Sequence, residues 1–417
     1  MFFIRRFILF LLLVTCLDKM LMGEVLFPNW ADEVLMLLYI GLSSLVRPPL
    51  SEIKRNIIKN TLICYSILLC YGLAMGIYHG ISQEAILYDI IDIFRLPIFF
   101  LLFLIVSCDK KTLEFTKWCY LILNIPSIIV GLVQWFMARF YGIYLGVSIY
   151  RDRLLGARIN GLAGHNIAMG YAMMILIFIL VEKIVDRRVK IWVKYPLFIM
   201  LIASTICLIF TQSRLPIALT IIILLYKYVY FRQKVFYRKL INFASLIVIL
   251  FSLFFFHSDI NDYTENEEST IRYMTINIAS KSINEHPLLG WGVGSYGIPE
   301  SVGCSPVYDK SIISERAEDI IIQGRTREAF MFQILIELGL IGVLLYYVPF
   351  VLVSLSAIRR KNYELFLLMS LGFILQSVIN GIYQMPIFIY LCILSSYGLI
   401  KKRQRYLIIG KKKYFLR

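Results

Sequence analysis

The chain carries apolar run after apolar run, each close to the ~20 residues an α-helix needs to cross a bilayer. Runs near 7–23, 31–46, 57–78, 86–107, 118–138, 166–181, 196–212, 215–231, 240–257, 331–357, 364–380 and 385–400 give twelve expected spans. Hydrocarbon offers no hydrogen-bonding partner, so a spanning segment must satisfy its own backbone, as a helix does. The expected fold is an all-α polytopic membrane protein of about 12 transmembrane helices, a single integral membrane domain over 1–417. Composition agrees: 59% of residues are hydrophobic and 17% charged, against about 45–50% and about 25% in a soluble domain.

A net charge of +16 would favour nucleic acid as a partner in a soluble protein. Here it has a topological cause, and no nucleic-acid partner is expected. With the N-terminus inside, the inner segments are 1–6, 47–59, 108–117, 182–195, 226–239, 358–363 and 401–417, and they hold 30 of the 43 Lys and Arg residues. The short outer segments 24–30, 79–85 and 381–384 hold none. Positive charge stays on the cytoplasmic side of short loops, so both termini are expected to be cytoplasmic. The basic tail from Lys401 reads as an anchor against anionic lipid. The opening Met1-Phe2-Phe3-Ile4-Arg5-Arg6 resembles a signal peptide, but no small-residue cleavage site precedes Asp18-Lys19, so a retained first span is expected. Seven of the eight cysteines fall in or beside apolar segments and only Cys304 lies in a long loop. No disulfide within that loop and no metal centre is expected.

Two outer segments break the charge pattern. The segment 139–165 is a smaller basic loop with Arg139, Arg151, Arg153 and Arg158 against Asp152. The segment 258–330, between helices 9 and 10, is a large extracytoplasmic loop with six basic and twelve acidic residues, a formal charge of −6. Within it, Ser269 to Ile283 has the spacing of an amphipathic helix, with Ile271, Met274, Ile278 and Ile283 along one face and Ser269 as its cap. A second helix is expected from Ser311 to Ile322.

Candidate chemistry collects at this outer side. Arg214, in Gln212-Ser213-Arg214-Leu215-Pro216, sits between two apolar runs with almost no loop. It is either an arginine snorkelling to the surface or an anion clamp, since its planar fork suits diphosphate. Arg158-Ile159-Asn160-Gly161 leads through His165-Asn166 into the sixth span, where backbone N–H groups at a helix start can face an anion; a cap and an interfacial turn explain the same residues. Gly290-Trp291-Gly292-Val293-Gly294 lacks the register of a dinucleotide loop, and its glycines are expected to turn the backbone tightly against the bundle. His286 is a base or a structural histidine. Arg327-Glu328 opens the tenth span, where a carboxylate is favourable for the helix dipole alone; its other reading is an arginine for phosphate and a glutamate that accepts a hydroxyl proton. Asp89, Asp92 and Arg95, at i, i+3 and i+6 of the fourth span, are expected to form an internal ion network.

Four blocks taken together resemble the O-antigen ligase and O-antigen polymerase superfamily of bacterial envelope enzymes. They are Arg158-Ile159-Asn160-Gly161 through His165-Asn166; Thr211-Gln212-Ser213-Arg214; Ile283 to Gly292, with His286-Pro287-Leu288-Leu289-Gly290-Trp291-Gly292; and the run ending Ile336-Glu337-Leu338-Gly339-Leu340-Ile341-Gly342. The resemblance covers roughly residues 155 to 345. It implies a glycosyltransferase in the bacterial cytoplasmic membrane, its active site facing outside, taking glycan from undecaprenyl diphosphate by metal-independent inverting transfer without a cofactor. By the same resemblance Arg214 and Arg272 hold the diphosphate, and Arg327 and Arg158 join them as candidate diphosphate-binding arginines. The family's His-Asn pair before the tenth span is replaced here by Arg327-Glu328. That departure favours a polymerase of O-antigen, capsule or exopolysaccharide repeats over a ligase, and leaves Glu328, then His286 and Glu315, as candidate bases. The partners implied are the lipid-linked glycan, the bilayer and, by analogy, a chain-length regulator. A flippase or transporter is the reading from another class, but two related halves with charges at mid-bilayer are not evident.

Overall fold

The structure, a computed structural model, describes residues 2–18, 31–45, 51–105, 110–145, 148–152, 156–162, 166–229, 267–308, 330–374, 386–399, 406–409 and 412–415. The helices are α1 (Phe2–Asp18), α2 (Ala31–Ser44), α3 (Glu52–Tyr78), α4 (Gln83–Ile105), α5 (Lys110–Phe136), α6 (Asn166–Val185), α7 (Ile191–Phe210), α8 (Arg214–Leu224), α9 (Glu267–Glu285), α10 (Phe330–Arg359), α11 (Tyr363–Met369) and α12 (Pro386–Gly398). Wider π turns continue three of them, at Met137–Tyr141, Leu225–Val229 and Ser370–Ile374. Every expected span except the ninth has a helix; 240–257 lies outside the described residues. Among the described residues, five helices are long and apolar enough to cross a membrane: α3, α5 with its π turn, α6, α7 and α10. The chain is a polytopic, predominantly helical membrane protein.

The all-α expectation needs one amendment. A hairpin pairs β1 (Ser148–Asp152) with β2 (Gly156–Arg158) inside the smaller basic loop, and another pairs β3 (Tyr406–Ile409) with β4 (Lys412–Phe415) in the tail. Both are short two-stranded antiparallel ribbons.

Helix α6 is the centre of the bundle. Its sequence is apolar on every side, which suits a helix surrounded by others, and Met169 through Leu180 are all buried. It packs on α5, α7, α8 and α12. By contrast, α7 leaves Trp192, Tyr195, Phe198 and Ile199 exposed along its length, the surface of a helix that faces lipid. Helix α1 is part of the core: Leu9, Leu12 and Leu13 are buried, and it packs on α2 and α5.

Side chains distinguish the two ends of the bundle. At one end, Lys117 near the start of α5 meets Glu182 of α6 at 2.7 Å and Glu364 of α11 at 3.9 Å. Lys227, just past α8, meets the same two carboxylates at 3.5 and 3.4 Å. Lys54 at the start of α3 donates to Ser396 Oγ near the end of α12 at 3.0 Å. This end carries the described parts of the basic inner segments, residues 110–117, 182–195 and 226–229. Helices α3 and α5 start here, and α6 and α8 finish here. Their other ends, with His79, Gln134, Asn166 and Arg214, therefore lie together on the opposite face.

Candidate active site

On that opposite face, two of the motif blocks dock onto each other. Gln134, a polar side chain buried in α5, clamps the turn after β2. Its Oε1 accepts from Gly161 N at 2.8 Å and Asn160 N at 3.3 Å, and its Nε2 donates to Asn160 Oδ1 at 2.8 Å. Gly161 has φ +54, and a Cβ there would stand 2.9 Å from Ser127 O. The clamped turn then meets the break between α7 and α8. Ile159 N donates to Phe210 O at 3.2 Å, Arg158 Nε to Gln212 Oε1 at 3.3 Å, and Asn166 Nδ2 to Thr211 O at 3.2 Å. Gln212 adopts φ +53, a conformation that costs about 1–2 kcal/mol for a residue with a Cβ. Here it ends α7 and lets α8 start two residues later.

Arg214 is the first residue of α8 and is exposed. A cation is unfavourable at a helix N-terminus by the macrodipole. Arg214, the starts of α6 and α8, and the Arg158 side chain thus concentrate positive potential at one corner, as an anion site requires. Beside it, Leu132, Val133, Trp135, Phe136, Ile206 and Phe210 line an open apolar groove of about 520 Å³ between α5 and α7.

The other two blocks interlock around a break in α10. Gly339 has φ 62 and ψ −168, which interrupts the helix within the expected span 331–357. Backbone groups freed inside a membrane helix must find partners, and the segment 287–292 supplies them. Trp291 N donates to Ile336 O at 3.0 Å and Gly292 N to Glu337 O at 2.7 Å. In return Leu340 N donates to Pro287 O, and Ile341 N to Leu288 O, each at 3.1 Å. Val293 N donates to Gly72 O of α3 at 3.1 Å. A Cβ on Gly290 would stand 2.6 Å from the Glu337 carbonyl, and one on Gly339 2.4 Å from Leu288 O.

Helix α9 is fixed to the same assembly. Thr275 Oγ1 and Tyr296 Oη are 2.6 Å apart, and Ser282 Oγ donates to Ile336 O at 3.2 Å. The helix begins at Glu267, so Ser269 lies within it and is not its cap. Its packed face is Thr275, Ile278, Ala279 and Ser282, while Ile283 is exposed. Burial pushes the Tyr296 and Tyr308 hydroxyls above the ordinary phenol value, which keeps both neutral. Tyr308 Oη accepts from Gly297 N at 2.7 Å and from Ser301 Oγ at 2.9 Å.

His286 stands where α9 meets this segment. Its ring lies 4.3 Å from Trp291 and 4.9 Å from His79, and His79 lies 5.0 Å from Trp291. Burial, and then the neighbouring His286, hold the His79 imidazole below the ordinary histidine value. Its Nε2 is buried without a hydrogen-bond partner.

The structure thus brings Arg158, Asn166 and Arg214 together around one turn, and places His286, Gly290 and Gly292 in the interlocked segment. Arg272 lies on α9, one turn before Thr275. His165, Glu315, Arg327, Glu328 and the expected helix Ser311–Ile322 lie outside the described residues. Asp89, expected in a network with Asp92 and Arg95, is buried, accepts from Gly294 N at 2.8 Å and faces Gln333 of α10. Three residues and one pairing of this face escaped the sequence reading: His79, Gln134, Gln333 and the nearness of Asp89 to Glu337. Gln134 and Glu337 did leave a signal, since polar groups inside apolar runs are costly and tend to be there for a reason.

Residues 197–347 match a family model described as O-antigen ligase. The matched stretch contains the 211–214 turn, the 283–292 segment and the 336–342 run, whereas the Arg158 turn precedes it. The match supports the O-antigen ligase and polymerase superfamily resemblance. No curated protein matches the chain.

Proposed function

We propose that this protein is a polysaccharide repeat-unit polymerase. It joins undecaprenyl-diphosphate-linked oligosaccharides of O antigen, capsule or exopolysaccharide on the outer face of the bacterial cytoplasmic membrane, by metal-independent inverting transfer. The observation that carries this reading is the replacement, within the family-matched segment, of the family's His-Asn pair by Arg327-Glu328. The match to an O-antigen ligase family model supports a second reading, transfer of finished glycan to lipid or protein.

Breaking a sugar–diphosphate bond leaves negative charge on the departing phosphate. Arg158 and Arg214, with Arg272 and Arg327, are assigned to stabilise that charge as it develops, the electrostatic contribution that preorganised donors make best. The apolar groove between α5 and α7, next to the Arg158 turn, is assigned to the polyprenyl chain. A base removes the acceptor hydroxyl proton, an effect worth about 10²–10⁴-fold. Glu328 is the first candidate, followed by His286 and Glu315. The energy lies in the diphosphate linkage, so the reaction draws on no cofactor.

A glycan-ladder gel on a deletion strain tests the proposal. Single repeats remaining on the carrier or on the final acceptor support a polymerase. Full-length polymer retained on the carrier identifies a ligase instead, and substrate trapped on the inner leaflet identifies a flippase.

A further inference from the structure

Gln134 is a polar side chain buried in the apolar helix α5, and both ends of its amide engage one turn. A primary amide offers two acceptor lone pairs and two N–H donors. Oε1 accepts from the backbone N–H groups of Gly161 at 2.8 Å and Asn160 at 3.3 Å. Nε2 donates to Asn160 Oδ1 at 2.8 Å, Leu145 O at 3.0 Å and Gly161 O at 3.3 Å. Gly161 is thus bonded at both its N–H and its carbonyl, as a residue of an antiparallel pair is bonded to its opposite.

The same face of α5 is shaped for that turn. Ser127, Gly131 and Gln134 follow at i, i+4 and i+7, which places them on one side of a helix. Ser127 Oγ accepts from Leu162 N at 3.3 Å. A Cβ on Gly131 would stand 3.1 Å from Ile159 Cδ1, and Ile159 is completely buried. The next residue after Gln134, Trp135, stacks on Phe210 with ring centroids 4.4 Å apart. Phe210 O in turn accepts from Ile159 N at 3.2 Å. Trp135 and Phe210 both line the apolar groove. Two consecutive side chains of α5 therefore hold the Arg158 turn and the groove wall. An amide inside a membrane helix is costly, and packing alone would be served by leucine.

We infer that Gln134 is a positioning residue: it fixes the turn that carries Arg158 beside the groove, so that a diphosphate held at Arg158 has its lipid tail in the groove lined by Trp135 and Phe210. The inference rests on the diphosphate-linked donor of the proposed function.

Hydrogen exchange of the full-length protein in lipid nanodiscs tests the clamp. Gln134→Met keeps the length of the side chain and removes its hydrogen bonds. Exchange of the amides of 159–162 should speed up by about tenfold or more, while 283–292 keeps its wild-type rate. Unchanged exchange at 159–162 overturns the inference. So does an equal rise in both segments that persists in the milder Gln134→Asn, the result expected of a role in the fold alone.

Binding of undecaprenyl diphosphate to the same nanodiscs tests the link to Arg158. A dissociation constant does not depend on the fraction of protein that is folded. Gln134→Met should weaken binding about tenfold. In an Arg158→Ala background it should weaken binding by less than about twofold, because a residue that acts through another adds nothing once that other is gone. Full additivity overturns the positioning role. If wild type binds no undecaprenyl diphosphate, the donor assignment of the proposed function fails instead, and the exchange rates still decide the clamp.

Discussion

Gly292 and Gly76 meet backbone to backbone: a Cβ on Gly292 would stand 2.0 Å from the Gly76 nitrogen. The contact seats the segment after His286 against α3, and it exists because neither residue has a side chain. Gly292 also has φ +96, where any other residue is strained. Gly292→Ala should therefore cost roughly 3 kcal/mol or more by combining a clash with strain. Gly80→Ala is the control: it shares a positive φ of +75 but meets nothing within 4 Å, so only about 1–2 kcal/mol of strain is expected. Thermal unfolding of both variants in detergent should separate them clearly.

Arg214→Ala and Arg272→Ala should abolish chain extension and leave single repeats on the carrier. A loss of about 10²–10³ is the scale for removing one donor to developing charge. Arg214→Lys should fail as well, because a point charge does not reproduce two-pronged contact with diphosphate. Ladder gels on complemented deletion strains read this out, and normal polymer from the lysine variant would remove the two-pronged argument.

Glu328→Gln addresses the base. If Glu328 removes the acceptor proton, the glutamine variant should extend chains about 10²–10⁴-fold more slowly, with donor binding retained. Normal polymer length in that variant would move the role to His286 or Glu315, to be tested next by His286→Gln and Glu315→Gln.

The ion network at the other end of the bundle should be a matter of stability and not of chemistry. Glu364 is shared between Lys117 and Lys227, and the Lys117 side chain is 3% exposed. Glu364→Gln leaves Glu182 as the ion-pair partner of both lysines among the described residues. A loss of roughly 1–3 kcal/mol is expected, below the 3–5 kcal/mol of a fully buried pair. The melting temperature should fall while turnover of the folded fraction is unchanged.

Acidification should loosen the His79–His286–Trp291 cluster. The folded protein holds His79 below its ordinary value, so the unfolded chain binds the proton more readily. The His79 contribution is then fully present above the ordinary histidine value of about 6.5 and is lost as pH falls below it. Trp291 fluorescence, isolated by subtracting a Trp291→Phe spectrum, should change over that interval, and His79→Phe should remove the change.

The apolar runs and the distribution of Lys and Arg determined, from sequence alone, that this is a polytopic helical membrane protein, because hydrocarbon leaves a backbone few ways to satisfy itself. They also pointed to one face for the motif blocks, since each follows or precedes a span whose expected direction comes from the Lys and Arg count. The glycines of 290–294 and 339 stand in plain view in the chain, but only the tertiary structure shows that they are two halves of one joint, each filling the hydrogen bonds the other leaves open. Asp89 was read along its own helix, where Asp92 and Arg95 are its neighbours in sequence; burial under Gly294 and against Glu337 belongs to the packing of α4 on α10. His79 gave no signal at all, being one polar residue at the end of a span. Periodicity and composition report what a segment needs from its surroundings, whereas pairings between residues more than 200 positions apart depend on which helices meet, and that is decided by packing.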